Sequence, residues 1–579
     1  MKFSKLHIYG LVGISLLTTS CNDKFLDRAP LDEVTAEVYF KKPKDLETYV
    51  NQYYNQTFFP KYANHGNDFN SDDQVNGQVI DERLQGTRVI VGSGTISFTN
   101  VRSINYFLNN YQKVADNNAF DSYKQFVGEA YYFKAVAYFN LLKTYGDIQW
   151  LDKDLGTMSP ELYAARTPRN IVADRIIACL DTAATYLSED KGTGAGRLNK
   201  WIALLMQSRV ALYEGSWQKY HNGTDFGVVN ADPNKYFNKA VEASKKIMDS
   251  GKYGIYTTGN PTKDYRDLFS LTDYTNNMEV MFWRKYDNDI IKGDAGFVND
   301  RNFRMVTPSG KTLTKEFVDS YLCIDGKPIS SSSLFQGYDN VEKEAVNRDG
   351  RFMQTVATPS QTWKILANGT IQNWSEVYDK INQNSDYTAP TGYIIQKGYD
   401  PDVNNHVTQS EETPSILFRY AEVLLNYIEA KAELGTVTQV DIDNTIKLLR
   451  DRVAMPNLQL NAISTDVNWS FSNLSSLINE IRRERRVELV AEGFRWDDIA
   501  RWAAADELIV GKRPKGFKAS QIKNNNLDLT GTVDDAGFLD PFRKAMVNGY
   551  GFKIDRDYLN SIPESELVLN DKLIQNPGW

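Results

Sequence analysis

The sequence predicts a mainly α-helical protein: a tetratricopeptide-like bundle of paired helices that carries an irregular, loop-rich part. Three observations predict it. Apolar residues recur at helical spacing in six segments of the first half, 45–58, 100–114, 120–145, 168–187, 199–217 and 234–250. From about residue 251 the texture shifts to Gly, Asn, Asp, Ser and Thr, with short candidate strands at 279–283, 321–324 and 392–397. Helical patterns then return at 414–434, 440–453 and 473–503.

The clearest helix is 120–145, where Phe126, Ala130, Phe133, Ala137 and Leu141 share one face and interleaved Tyr131, Tyr132, Tyr138 and Phe139 widen it. Gly146-Asp147 ends it, and Thr167-Pro168 opens the next helix with proline in the first turn. The pairs vary in length, so the repeat reading rests on helix pairing and not on a strict period. The organisation that follows is a leader over 1–20, a leash over 21–44, a repeat region over 45–250 and a loop-rich insertion over 251–413. Helices over 414–503 complete the bundle, and an irregular segment fills 504–579.

The leader has a basic start at Lys2 and Lys5, an apolar run from Leu6 to Leu17, then Thr18, Thr19 and Ser20 before Cys21. That is a signal peptide, since a bilayer-spanning helix needs about 20 apolar residues. A cysteine at the cleavage point is where a diacylglyceryl anchor attaches, so Cys21 is expected to be lipidated and to hold the chain to a membrane. Thr18 stands where the strict lipobox prefers leucine. Cys179 and Cys323 remain, and are expected to be buried free thiols. A net charge of −8 with 24% charged residues argues against a nucleic-acid partner.

Several segments together resemble one family, the SusD/RagB outer-membrane nutrient-binding lipoproteins. They are Cys21 to Asp27, ending Phe25-Leu26-Asp27, Gly128 to Asp147 with its Tyr-Gly-Asp exit, Phe418 to Ala430, Glu484 to Asp498 with Arg501-Trp502, and the tail Ile562 to Glu566 and Gln575 to Trp579. The resemblance implies a tetratricopeptide-like bundle whose loop-rich part binds the ligand. It implies oligosaccharide capture at the cell surface, and delivery to a SusC/RagA-like TonB-dependent barrel in the outer membrane. It implies no catalysis. A peptide-binding, RagB-like role and a glycoside hydrolase are the alternatives.

The arginines between Glu484 and Arg501 read as structural, with Arg485–Glu488 and Glu492–Arg495 as expected helix pairs. No zinc motif surrounds His65, His221 or His406. Gly310-Lys311-Thr312 lacks the earlier glycine of a phosphate loop, and no motif singles out a glycosidase carboxylate pair. Asp400, Asp402, Asn404, Val407 and Glu411 fall at calcium-loop positions, which leaves calcium an open expectation beside no cofactor at all. Sugar recognition needs rings to stack on and side chains that form hydrogen bonds. From the loops the candidates are Asp72, Asp73, Arg88, Phe98, Trp283, Tyr286, Trp363 and Trp374.

Overall fold

The computed structural model describes residues 39–579 apart from 61–65, 70, 78, 157, 288–298, 409 and 524–526. The leader, Cys21, the Phe25-Leu26-Asp27 start, most of the leash and His65 lie outside the described residues. The six expected helices are present as α1 (Pro43–Asn51), α2 (Thr99–Asn110), α3 (Lys124–Tyr145), α4 (Arg169–Tyr186), α5 (Lys200–Tyr220) and α6 (Pro233–Asp249). From α2 to α6 each packs on the next in sequence, the arrangement expected of stacked helix pairs.

Local chemistry sets the ends. Gly146 closes α3 at φ +71, a left-handed conformation suited to glycine, and a Cβ there would sit 2.8 Å from Leu559. Pro168 caps α4 from just outside the helix, one place earlier than expected, and the Asp147 carboxylate accepts the Arg169 N–H at 2.8 Å. Gly215 lets α5 and α6 approach closely, since a Cβ there would lie 2.9 Å from the Phe237 ring. The buried face of α3 differs from the expected one. Val127, Tyr138 and Leu142 are buried with Ala130 and Phe133, whereas Ala137 and Leu141 are only half-buried.

The expected helix 414–434 is a strand followed by a helix, α7 (Tyr420–Glu433). The expected helix 440–453 breaks at Thr445 into Gln439–Asp443 and Ile446–Asp451. The expected helix 473–503 is α8 (Ser476–Leu489) and α9 (Arg495–Arg501), parted by Ala491 at φ +63 and Gly493 at φ +87. The buried Asp68 carboxylate fixes that break by accepting the N–H groups of Ala491, Gly493 and Arg495.

Among the described residues seven short strands build three antiparallel sheets. They are β1 (Gln74–Asn76), β2 (Val280–Arg284), β3 (Lys311–Leu313), β4 (Thr362–Ile365), β5 (Ile371–Asn373), β6 (Tyr393–Ile394) and β7 (Ser415–Arg419). β3 lies between β1 and β6, β2 pairs with β7 with Trp283 opposite Ile416, and β4 pairs with β5. Residues 321–324 form no strand but enter a turn at Asp325-Gly326, closed by Gly326 N–H to the Cys323 carbonyl at 2.8 Å. The insertion is not loose. Phe317, Tyr321, Phe352, Trp363, Trp374 and Tyr393 form an apolar core of their own, closed by Val487 and Val490 at the end of α8. Cys179 and Cys323 are buried free thiols, as expected.

Buried charge joins the insertion to the bundle. Glu488 of α8 accepts from Arg351 at 3.0 Å, Arg419 at 2.7 Å and Arg452 at 2.7 and 2.8 Å. Glu279 is shared by Arg419 at 2.9 Å and Arg452 at 3.1 Å. The expected short-range pairs give way to these long-range ones. Arg485 binds Asp498 of α9 at 2.9 Å, and Glu492 binds Arg419 and Lys397 at 2.7 Å each. Burial would raise the Glu488 carboxyl, but its three guanidinium partners outweigh that and hold it far below the carboxylate range.

Two outcomes follow. Glu488→Gln should lower unfolding free energy by about 3–5 kcal/mol, the usual cost of leaving buried charges unpaired, measured by urea denaturation. His221 is buried, stacks on Trp217 at 3.9 Å and contacts the Ala500 carbonyl through Nε2 at 2.8 Å. Burial lowers its pKa to about 3. Between there and the unfolded value of about 6.5, only the unfolded chain takes up the proton. Acidification from pH 7 to 5 should therefore cost about 2 kcal/mol through this residue, and His221→Gln should show a correspondingly smaller drop.

Candidate functional site

The predicted ligand residues are mostly part of the framework. Trp283 and Tyr286 are buried, the former donating to the Thr193 carbonyl at 3.0 Å and meeting Tyr274 edge-on. Trp363 and Trp374 are buried in the insertion's core. None of these rings offers a face to a ligand, because the polar stretches that carry them fold around an apolar centre. Phe98 is half-buried where it precedes α2 and packs on the main core.

Asp72 and Asp73 are likewise buried. Arg495 grips Asp72 through two bonds of 2.7 Å, and Arg486 reaches Asp72 at 2.9 Å and Asp73 at 2.7 Å. Burial would raise Asp72, but the two guanidiniums hold it below the carboxylate range. Arg88 secures the C-terminal tail, donating to Asn560 Oδ1 at 2.6 Å and lying 4.8 Å from the centre of the Trp579 ring.

The calcium pattern folds without converging. Asp400 accepts the Asp402 N–H at 2.9 Å, Asp402 accepts the Asn404 N–H at 3.0 Å, and Glu411 turns away to accept the N–H groups of Asn302 and Phe303. Among the described residues no three His, Cys, Asp or Glu side chains gather where a metal could sit.

A groove of about 430 Å³ lies where the outer side of α8 faces the insertion and the loop before α8. Its walls include Lys315, Tyr338, Asp466, Asn468, Trp469 and Arg483. The loop is shaped by a turn in which Asp466 Oδ1 accepts the Asn468 N–H at 3.0 Å and the Asp466 carbonyl accepts the Trp469 N–H at 3.2 Å. Asp466 is anchored further by the Ser330 hydroxyl at 2.7 Å and Arg483 at 2.6 Å. One face of Tyr338 is covered by the Lys315 ammonium, 4.2 Å from its centre.

Trp469 differs from the other nine tryptophans. They are either sunk in a core or have a ring or cation against them, as with Trp150 on Tyr138 at 3.9 Å and Trp502 under Arg482 at 4.1 Å. Trp469 is half-buried with its indole nitrogen turned inward, and among the described residues neither ring nor cation stacks on it. It is an unstacked aromatic side chain in a wall that also carries amide, carboxylate and ammonium groups. Sequence reasoning missed it, although the signal was present. Asp466-Val-Asn-Trp-Ser-Phe-Ser-Asn473 is as polar a setting for tryptophan as the stretch that drew attention to Trp363 and Trp374.

Comparison with known families decides the relationship. The model of the SusD family matches residues 299–579, and a second, described as starch-binding associating with outer membrane, matches residues 19–212. The chain belongs to the SusD family. Among SusD-like relatives, protein P2 of Formosa agariphila is 22% identical over 589 residues, 99% of each chain. A SusD-like protein of Bacteroides ovatus is 25% identical over 524 residues, 86% of this chain and 83% of its own. A solved SusD-like carbohydrate binding protein of Bacteroides fragilis shares the fold, with 19% identity and a TM-score of 0.66 over 93% of this chain and 100% of its own. Another SusD-like structure from that species gives 21% and 0.69 over 95% and 100%. The tetratricopeptide-like helical fold is thus that of the SusD family, as the hallmark segments implied. No helix among the described residues is long and apolar enough to cross a membrane.

The different settings of two tryptophans predict different costs. Trp374→Ala, which empties a buried site, should cost about 3–5 kcal/mol in urea denaturation. Trp469→Ala should cost less than half as much.

Proposed function

We propose that this SusD-family protein captures a glycan at the cell surface in the Trp469 groove and passes it to a SusC-like TonB-dependent barrel. The observation that carries the reading is the unstacked Trp469 ring beside Asp466, Asn468 and Lys315. A pyranose presents an apolar face of C–H groups and an equatorial rim of hydroxyls. An open indole takes the first, and charged or amide side chains take the second. The carbohydrate binding named for the B. fragilis structure and the starch binding named for one family model support the same ligand class.

Asp466 serves as an acceptor: burial would raise it, but the Asn468 N–H, the Ser330 hydroxyl and Arg483 outweigh that and hold the carboxyl low. Retention at the membrane would fall to lipid on Cys21, with the following residues as leash, and transport to the barrel.

Affinity electrophoresis tests the reading. Purified protein should be retarded in gels containing its polysaccharide, and Trp469→Ala should run as in a blank gel while keeping its circular dichroism spectrum. Unchanged retardation of Trp469→Ala would remove the site. Peptide binding without retardation by any glycan would replace the ligand class.

A further inference from the structure

We infer that the groove selects an acidic polysaccharide, one whose sugars carry carboxylate or sulfate groups; this rests on the glycan reading of the Trp469 groove. The groove does not end at Trp469. It continues into a second cleft of about 300 Å³, and Asp72, Glu316, Leu508 and Lys512 line both. The two clefts therefore form one channel with a shared charged wall.

Eight lysines and arginines line this channel against four aspartates and glutamates. The chain as a whole has the opposite balance, with 74 acidic residues, 66 basic ones and a net charge of −8. Several of the lining cations have further carboxylate partners, and where those partners sit matters. Asp73 behind Arg486, Asp540 behind Arg513 and Lys515, Glu433 behind Arg482 and Glu480 behind Arg483 are all buried and absent from the channel wall. The wall itself therefore keeps more cations than carboxylates, even with Asp72, Asp319 and Asp466 paired inside it, and the remaining carboxylates lie behind it. A ligand in the channel is closer to that cationic excess than to the carboxylates behind it, and Coulomb attraction falls with distance, so the two do not cancel at the ligand.

Lys512 adds a charge without this compensation. It is exposed at the junction of the two clefts, and its ammonium donates to the Glu507 backbone carbonyl. Among the described residues it has no carboxylate within ion-pair distance. A neutral glycan would gain nothing from this arrangement beyond hydrogen bonds that uncharged side chains could supply. A polyanion would gain at each charged sugar.

The test uses the full chain in affinity gels containing a polyuronate, a sulfated polysaccharide or a neutral glucan, each at low salt and at about 0.5 M NaCl, where charges are screened beyond about 4 Å. Retardation by one of the two acidic polymers, relieved by salt and weakened about five- to tenfold in Lys512→Glu, is the expected result. Which acidic polymer binds identifies the charged group as carboxylate or sulfate. Lys512 is exposed, so the variant should keep the wild-type circular dichroism spectrum and melting temperature. Retardation by the neutral glucan alone, or acidic binding that neither salt nor Lys512→Glu alters, overturns this inference and leaves the glycan reading standing. Absence of retardation by every glycan removes the glycan reading, and this inference with it.

Discussion

The insertion and the helical bundle are docked around one carboxylate. Glu488 receives three guanidiniums from separate parts of the chain: Arg351 in the insertion, Arg419 at the end of β7, and Arg452 after the short helix Ile446–Asp451. Glu279, just before β2, ties two of the three together. A buried cluster of this kind is weak evidence for extra stability, because removing ions from water costs about what their attraction returns. Its value lies in geometry. An apolar interface tolerates sliding, whereas a carboxylate shared by three forked donors accepts one arrangement. The insertion, the β2–β7 pair and the bundle are fixed relative to one another at that point.

The groove depends on the same helix. Glu484 and Glu488 lie one turn apart on α8 and face the buried cluster, while Arg482, Arg483 and Arg486 line the groove. One helix thus carries both the anchor and a wall of the binding surface. Its position is set from within before any ligand arrives. Binding then need not order the chain, a cost that weakens recognition by mobile loops.

How much of this was legible in the sequence varies with the kind of force involved. The repeat helices were legible because their apolar spacing is local, and α4, α5 and α6 fall within a few residues of expectation. The β7 strand was not, because Ser415–Arg419 reads as the start of a helix until β2 arrives from more than a hundred residues away to pair with it. The break between α8 and α9 was hidden for a similar reason: Asp68, far upstream, supplies the acceptors that hold it. The charged run does build a buried network, but with partners other than those expected, since spacing reveals only neighbours along one helix, and it gives no sign that Arg482, Arg483 and Arg486 also line a groove. The aromatic candidates failed where composition was taken for exposure. Trp363 and Trp374 sit in polar sequence and still form a core, while Trp469, in equally polar sequence, is left open.

The cluster around Glu488 also imposes an order of assembly. A chain that emerges from its N-terminal end presents Glu279, Arg351, Arg419 and Arg452 before Glu488. Until α8 appears, three cations have only two carboxylates among them, Glu279 and Asp349, and water remains their better solvent. The repeat helices from α2 to α6 need no such wait, because each packs on its neighbour in sequence. The molecule is therefore built to finish late: a scaffold that can close early, and a recognition surface that stays unformed until nearly all of the chain has been delivered.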